Sequence, residues 1–106
     1  MPSATTSTVF FVYVLESLYD TKKYVGFTNN LKRRLAEHQK GSSFATAYRR
    51  PFRLIYFEAS TNKEDAVRRE GYLKTTKGRR FLAKRLKTYY QSKPAGKTNL
   101  ADRSKL

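Results

Sequence analysis

The sequence contains no cysteine and only one histidine, His38, among its 106 residues. Without cysteine the chain has neither a disulfide framework nor a zinc site built from thiolates. A single histidine likewise excludes a metal site made of several imidazoles. The familiar small metal-stabilised and disulfide-stabilised domains are therefore excluded.

A long hydrophobic run is also missing. The longest such run, VFFVYVL at residues 9–15, is far shorter than the roughly 20 residues of a membrane-spanning helix. No positive charge precedes this run and no small-residue cleavage pattern follows it, which argues against a signal peptide. We expect a soluble cytoplasmic protein, located in a bacterial cytoplasm or nucleoid.

Acidic residues are few, and the balance of charge is strongly basic. The chain has 23 lysines and arginines against 8 aspartates and glutamates, a formal net charge of +15. Such an excess is more than solubility requires and indicates a polyanionic partner, with nucleic acid first and an anionic membrane surface second. The membrane is disfavoured, because no predicted helix has a wide lipid-facing stripe.

The pattern of apolar residues predicts one small domain with a single modest core. The order of elements is β-β-α-β-α-α, an α+β fold in which helices flank a small three-stranded antiparallel sheet. We expect residues 1–8 to form a flexible arm, residues 9–90 the domain and residues 91–106 a disordered basic tail. The predicted strands cover residues 9–17, 23–28 and 52–59.

Short polar residues mark the predicted starts of the helices, because their side chains accept hydrogen bonds from the free amides of a first turn. Glycines mark two of the predicted ends. The first helix is expected from Asn29 or Asn30 to Gly41, the second from Ser60 or Thr61 to Gly78, and the third over residues 79–90.

The first predicted helix carries a histidine on its apolar face. At about 100° per residue, His38 falls on the face of Leu31 and Leu35, and Arg34 falls at the edge of that face. Lys32, Arg33 and Glu37 are expected to point elsewhere. An ordinary hydrogen-bonded core histidine fits this position as well as a functional one.

The second predicted helix places an acid within its apolar face. Glu70 lies between the angular positions of Leu73 and Val67. Glutamate is seldom buried unless it is paired or binds a metal. The two interpretations are a structural ion pair, with Arg34 or a neighbouring arginine, and a functional carboxylate.

Four segments together resemble the GIY-YIG endonuclease domain: VYV (12–14), YVG (24–26), LKRRLAEH (31–38) and AVRREGYLK (66–74). The resemblance is greatest to small stand-alone bacterial members related to the nuclease domain of the excision-repair C subunit, and it spans roughly residues 9–87. It implies a fold with a three-stranded antiparallel sheet, in agreement with the elements above.

The resemblance implies a catalytic set of five residues. By position these are Tyr13, Tyr24, Arg34, His38 and Glu70. Glu70 would be the ligand of a divalent cation, Mg²⁺ or Mn²⁺, together with waters and phosphate oxygens. Arg34 would grip a phosphate oxygen, the tyrosines would orient or deprotonate water, and His38 would share that task or hold a tyrosine hydroxyl.

The chain departs from the family pattern at two positions. Phe11 fills the glycine position of the first motif, and Phe27 stands where excision-repair members carry a lysine. A proton-transfer role of that lysine is therefore not inherited here.

Basic clusters, together with the motif glycine, are the predicted DNA contacts. Because such clusters release counterions from phosphates, binding should weaken steeply with salt. No segment resembles a base-reading module, so we expect recognition of DNA structure or little selectivity. The predicted contacts are Gly26, Lys32, Arg33, Arg49, Arg50, Arg53, Arg69, Lys74, Lys77, Arg79 and Arg80.

These observations predict a metal-dependent DNA endonuclease that acts in repair or recombination. The alternatives are a catalytically inactive basic module that binds nucleic acid with the same fold, and an RNA-binding accessory protein. Cutting both strands of a duplex would require either a homodimer or two successive events.

Overall fold

A three-stranded antiparallel sheet is the centre of the fold, as the sequence predicts. The computed structural model describes residues 8–43 and 45–92. The strands are β1 (Phe10–Ser17), β2 (Lys23–Thr28) and β3 (Phe52–Ser60), arranged in the order β2-β1-β3. The helices are α1 (Leu31–Lys40), α2 (Lys63–Leu73), α3 (Thr76–Arg85) and α4 (Lys87–Ser92). The α+β class is therefore confirmed.

The chain divides into two compact units between Tyr72 and Leu73. The first unit contains the sheet, α1 and all of α2 except Leu73, and the second contains α3 and α4. Most of the predicted arm and tail, residues 1–7 and 93–106, lies outside the described residues. In the described part of the chain no helix has the length and hydrophobicity of a membrane crossing.

The middle strand supplies most of the core of the first unit. Residues 12–17 of β1 are all buried, because this strand has a neighbour on each side and apolar residues on both faces. Tyr13 and Leu15 pack with Phe52 of β3, and the two leucines of α1 pack against the same cluster. The register with β3 shifts between Val14 and Leu15, an irregularity typical of a β-bulge.

The ends of α1 match the sequence prediction, whereas the start of α2 does not. Asn30 caps α1 by accepting a hydrogen bond from the amide of Arg33, and Gly41 ends it with a left-handed φ of 86°. In α2 the cap is Asn62, whose side chain accepts from the amide of Asp65 at 2.9 Å. The prediction of Ser60 or Thr61 was wrong because β3 extends through Ser60.

The second helix is also shorter than predicted. It ends at Leu73 rather than Gly78, since the hydroxyl of Thr75 accepts from the amide of Gly78 and begins a new helix, α3. The predicted third helix therefore begins earlier than expected and is interrupted at Leu86, where α3 ends and α4 follows.

Candidate functional site

The side chain of Tyr13 lies at the centre of the candidate site. Tyr13 is only 1% exposed and is paired across the sheet with Gly26 of β2. A side chain at position 26 would collide with its ring, because a Cβ atom there would lie 2.3 Å from the Tyr13 hydroxyl. Gly26 therefore provides the space that this phenol occupies, which explains the glycine without any contact to DNA.

Helix α1 brings two polar side chains to the Tyr13 hydroxyl. The phenol lies 2.8 Å from Nε2 of His38, and Nε of Arg34 donates to the phenol oxygen at 3.3 Å. Residues four apart on a helix share one face, so the spacing of Arg34 and His38 allows both to reach one atom. Three of the five predicted catalytic residues therefore meet at a single oxygen.

The second nitrogen of His38 faces a loop residue that the sequence analysis missed. Nδ1 of His38 lies 2.8 Å from the hydroxyl of Thr46, and both residues are 0% exposed. Thr46 comes just before a short 3-10 helix, Ala47–Arg49. The predicted burial of His38 is confirmed, and its ring is hydrogen-bonded on both sides.

The guanidinium of Arg34 has a partner at each of its three nitrogens. Besides Tyr13, it donates to a carboxylate oxygen of Glu37 at 2.8 Å and to the hydroxyl of Ser43 at 3.4 Å. The sequence analysis did not predict this ion pair, which forms because side chains three apart on a helix are neighbours on its surface. Arg34 still exposes 30% of its side chain.

The second predicted tyrosine borders the same histidine. The ring of Tyr24 lies 5.2 Å from the His38 ring and 6.3 Å from the Tyr13 ring, measured between centroids. Tyr24 is half-buried, and none of the described residues forms a hydrogen bond with its hydroxyl. Its phenol oxygen is therefore available to a ligand, unlike that of Tyr13.

Burial controls the protonation of Tyr13 and His38. It raises the pKa of Tyr13 to about 12, against the opposing effect of the hydrogen bond from Arg34. Burial also lowers the pKa of His38 to about 4, helped by the positive charge of Arg34. At neutral pH both side chains are uncharged. The pKa of Arg34 is raised, chiefly by its hydrogen bond to Glu37, so the guanidinium is the fixed charge of the site.

The carboxylate of Glu70 acts electrostatically on the same phenol. Its negative charge is one of the influences that raise the pKa of Tyr13, after burial and Tyr24. Glu70 is half-buried rather than central in an apolar face, because Val67 beside it is 46% exposed. The ion pair of Arg34 is made with Glu37.

Two carboxylates are candidates to hold a divalent cation: Glu37, which is ion-paired with Arg34, and Glu70, whose charge acts on Tyr13. Among the described residues no group of three or more histidine, cysteine, aspartate or glutamate side chains is arranged to hold a metal. Mg²⁺ commonly uses one or two carboxylates and takes its other ligands from waters and phosphates. Glu70, whose charge acts on the Tyr13 phenol, fits that minimal donor set.

Most of the predicted DNA contacts are exposed, but Arg49 and Arg69 are partly buried beside acidic residues of the protein. Arg69 forms a two-pronged ion pair with Glu58, and its guanidinium lies 5.3 Å from the ring centroid of Tyr72. Arg49 exposes 15% of its side chain and lies 3.5 Å from a carboxylate oxygen of Asp20. The exposed members are Lys32, Arg33, Arg50, Arg53, Lys74, Lys77, Arg79 and Arg80.

A model of the GIY-YIG catalytic domain matches residues 9–82 of this chain. The chain belongs to the GIY-YIG family. The GIY-YIG domain is that of a nuclease family, and the resemblance inferred from the four motifs is confirmed.

The relatives are small stand-alone members of the family. A UPF0213 protein of Streptococcus pyogenes serotype M3 is 42% identical over 71 residues, which are 65% of this chain and 75% of the relative. A UPF0213 protein of Clostridium perfringens is 42% identical over 65 residues, 60% of this chain and 69% of the relative. The solution NMR structure of a UPF0213 protein from Bacillus halodurans is 33% identical, with a TM-score of 0.47, over 72% of this chain and 83% of that one.

Proposed function

We propose that this GIY-YIG protein is a metal-dependent endonuclease that hydrolyses phosphodiester bonds in DNA, selecting DNA structure or acting with little specificity. The observation that carries the proposal is the single phenol oxygen of Tyr13, to which Arg34 donates while His38 lies within hydrogen-bond distance. A net charge of +15 supports nucleic acid as the substrate. The proposal places the protein in DNA repair or recombination, in the cytoplasm or nucleoid.

In this proposal the partly exposed groups touch the substrate. Arg34 binds a non-bridging phosphate oxygen, and the phosphate takes over or shares the place of Glu37 beside the guanidinium. The hydroxyl of Tyr24 orients the attacking water, because it is the accessible phenol. Tyr13 and His38 are too deeply buried for contact, so they act as positioning residues that hold Arg34.

Glu70 is the proposed protein ligand of Mg²⁺ or Mn²⁺. A bound divalent cation neutralises negative charge on the phosphate group and on the leaving oxygen. With one protein carboxylate, affinity for the cation in the absence of DNA is expected to be weak, since waters and phosphate oxygens complete the coordination.

Cleavage of supercoiled plasmid and branched DNA tests the proposal. The purified protein is incubated with each DNA in Mg²⁺, Mn²⁺ or EDTA, beside Glu70→Ala and the matched variant Glu64→Ala, which removes an exposed acid from the same helix. We expect nicking by wild type and Glu64→Ala with either cation, and none by Glu70→Ala or in EDTA.

Two outcomes would contradict the proposal. Nicking that persists in Glu70→Ala would come from a contaminating nuclease or from a mechanism without this carboxylate. Binding of DNA without nicking by wild type would instead support the inactive binding module. Competition of RNA against DNA in gel shifts separates both from an RNA-binding protein.

A further inference from the structure

The hydroxyl of Thr46 is held firmly against the histidine of the site. Thr46 is 0% exposed, and its Oγ1 lies 2.8 Å from Nδ1 of His38. The backbone on both sides is fixed, because the amide of Thr46 donates to the carbonyl of Ser43 at 3.1 Å and its carbonyl accepts from the amide of Arg49 at 2.9 Å. These hydrogen bonds hold the main chain of Thr46 in place, and its complete burial limits rotation of the side chain away from the ring.

Only one placement of the protons gives an acceptor to each buried donor of Tyr13, His38 and Thr46. The neutral imidazole of His38 carries one N–H donor and one bare acceptor nitrogen. If Nε2 carried the proton, it would donate to the oxygen of Tyr13, which already accepts from Arg34. The buried phenol proton would then have no acceptor among the described residues. An unsatisfied buried donor is costly, so this tautomer is disfavoured.

In the Nδ1–H tautomer the hydrogen bonds of these groups all run in one direction, from Arg34 through Tyr13, His38 and Thr46 to the carbonyl of Ser43. Nδ1–H of His38 donates to Thr46, whose own hydroxyl proton is directed to the carbonyl of Ser43 at 3.5 Å. Nε2 is then free to accept the phenol proton of Tyr13 at 2.8 Å. The phenol oxygen keeps its lone pairs for Nε–H of Arg34.

We propose that Thr46 is a positioning residue that holds His38 in its Nδ1–H tautomer, and thereby fixes Tyr13 as an acceptor for Arg34. The catalytic consequence rests on the proposed function, in which Arg34 binds the phosphate. The chain of hydrogen bonds from Arg34 through Tyr13, His38 and Thr46 ends on a backbone carbonyl. Because a carbonyl can only accept a hydrogen bond, it fixes the direction of the whole chain.

The single histidine makes this tautomer directly measurable. Nitrogen-15 NMR of the imidazole of His38 at neutral pH reports which nitrogen carries the proton, without overlap from other rings. We expect Nδ1–H in the wild type and in Thr46→Ser, which keeps the hydroxyl. In Thr46→Val, which keeps the shape and removes the acceptor, we expect a mixture or the Nε2–H form.

Two further variants separate Thr46 from its neighbours. Ser43→Ala removes a hydroxyl from the same loop but retains the carbonyl, so the tautomer should not change. Tyr13→Phe removes the phenol and leaves Thr46 as the hydrogen-bonding partner of the ring, so Nδ1–H should persist. An Nε2–H ring in the wild type, a pure Nδ1–H ring in Thr46→Val, or a switch in Tyr13→Phe would each overturn the proposal. The wild-type and Tyr13→Phe spectra still test the proposed tautomer even if Thr46→Val fails to fold.

Measurement of kcat in the Thr46 variants tests whether the His38 tautomer matters for the proposed reaction. Because displacement of a binding group by about 1 Å lowers rates up to about 100-fold, Thr46→Val is expected to reduce kcat about 10- to 100-fold. The loss of DNA affinity should be much smaller, because the exposed basic residues remain. Thr46→Ser should restore most of the rate. Unchanged turnover in Thr46→Val with an altered tautomer would refute the catalytic consequence. A wild type that does not cleave DNA would refute the endonuclease proposal, whereas the spectra would still decide the role of Thr46.

Discussion

Gly26 and Tyr13 are paired across adjacent strands so closely that a Cβ atom at position 26 would lie 2.3 Å from the phenol oxygen. The Tyr13 ring is buried and hydrogen-bonded to His38 and Arg34, so it cannot move aside for a methyl group at position 26. We therefore predict that Gly26→Ala lowers the free energy of unfolding by about 1–3 kcal/mol, the usual cost of overpacking a core. Urea unfolding followed by circular dichroism measures this change.

A second glycine provides the matched control for that substitution. Gly71 lies within α2, and a Cβ atom there would meet no atom within 4 Å. Since alanine favours the helix over glycine by up to about 1 kcal/mol, Gly71→Ala should leave stability unchanged or increase it. Equal destabilisation by the two substitutions would show that the phenol is not confined as described.

The strands and the buried histidine were predictable from the sequence because each depends on local periodicity. The dense β-branched and aromatic residues of β1 identify a buried strand, and the spacing of His38 from the apolar residues of α1 identifies its buried face. The family motifs add Tyr13, Tyr24 and Glu70 by position. Each of these signals lies within a few consecutive residues.

The residues that the sequence analysis missed or misplaced depend on contacts without such periodicity. Thr46 lies in an irregular loop, where no repeat indicates which side chains turn inward. The ion pair of Glu37 with Arg34 was missed because a helical wheel ranks Cα directions and ignores the reach of long side chains. The start of α2 was misplaced because several polar residues that can cap a helix lie close together at the end of β3, and Asn62 is the one that does so.

Protonation of the buried histidine should make the protein sensitive to mild acid. Folding lowers the pKa of His38 from 6.5 to about 4, so the unfolded chain binds a proton at higher pH than the folded one. The stability is therefore fully present above about pH 6.5 and is lost as the pH falls towards 4, by about 3 kcal/mol in total. Urea unfolding at a series of pH values from 7.5 to about 4 measures the slope.

The variant His38→Gln tests the origin of that slope, because glutamine offers hydrogen bonds but does not titrate in this range. Its stability should be lower at pH 7 and nearly flat between about pH 6.5 and 5, before the carboxylates begin to titrate. The same slope in both proteins would assign the acid sensitivity to other groups.

The two tyrosines should respond differently to loss of their hydroxyls. Tyr24 is half-buried, and its phenol has no hydrogen-bond partner among the described residues. Tyr24→Phe should therefore reduce cleavage about 100-fold or more while stability changes by less than about 0.5 kcal/mol. Tyr13→Phe removes the partner of both His38 and Arg34, so it should cost about 1–3 kcal/mol of stability as well as activity. Cleavage assays and thermal unfolding of the two variants give the comparison. Wild-type activity in Tyr24→Phe would remove this residue from the reaction.

Exposed and internally paired arginines should contribute differently to DNA binding. Arg33 exposes 62% of its side chain and its ion pair with Glu37 is long, at 3.6 Å. If Arg33 contacts a phosphate, Arg33→Gln should reduce the slope of log affinity against log salt by about 0.9.

Arg69 provides the comparison, because its guanidinium is ion-paired with Glu58. Arg69→Gln should leave the salt slope unchanged. It should lower stability by about 1 kcal/mol, a modest cost because the pair is partly exposed. Fluorescence anisotropy with labelled duplex over a range of salt concentrations measures the slopes. An equal loss of slope in both variants would mean that DNA displaces Glu58 and that the ion pair opens on binding.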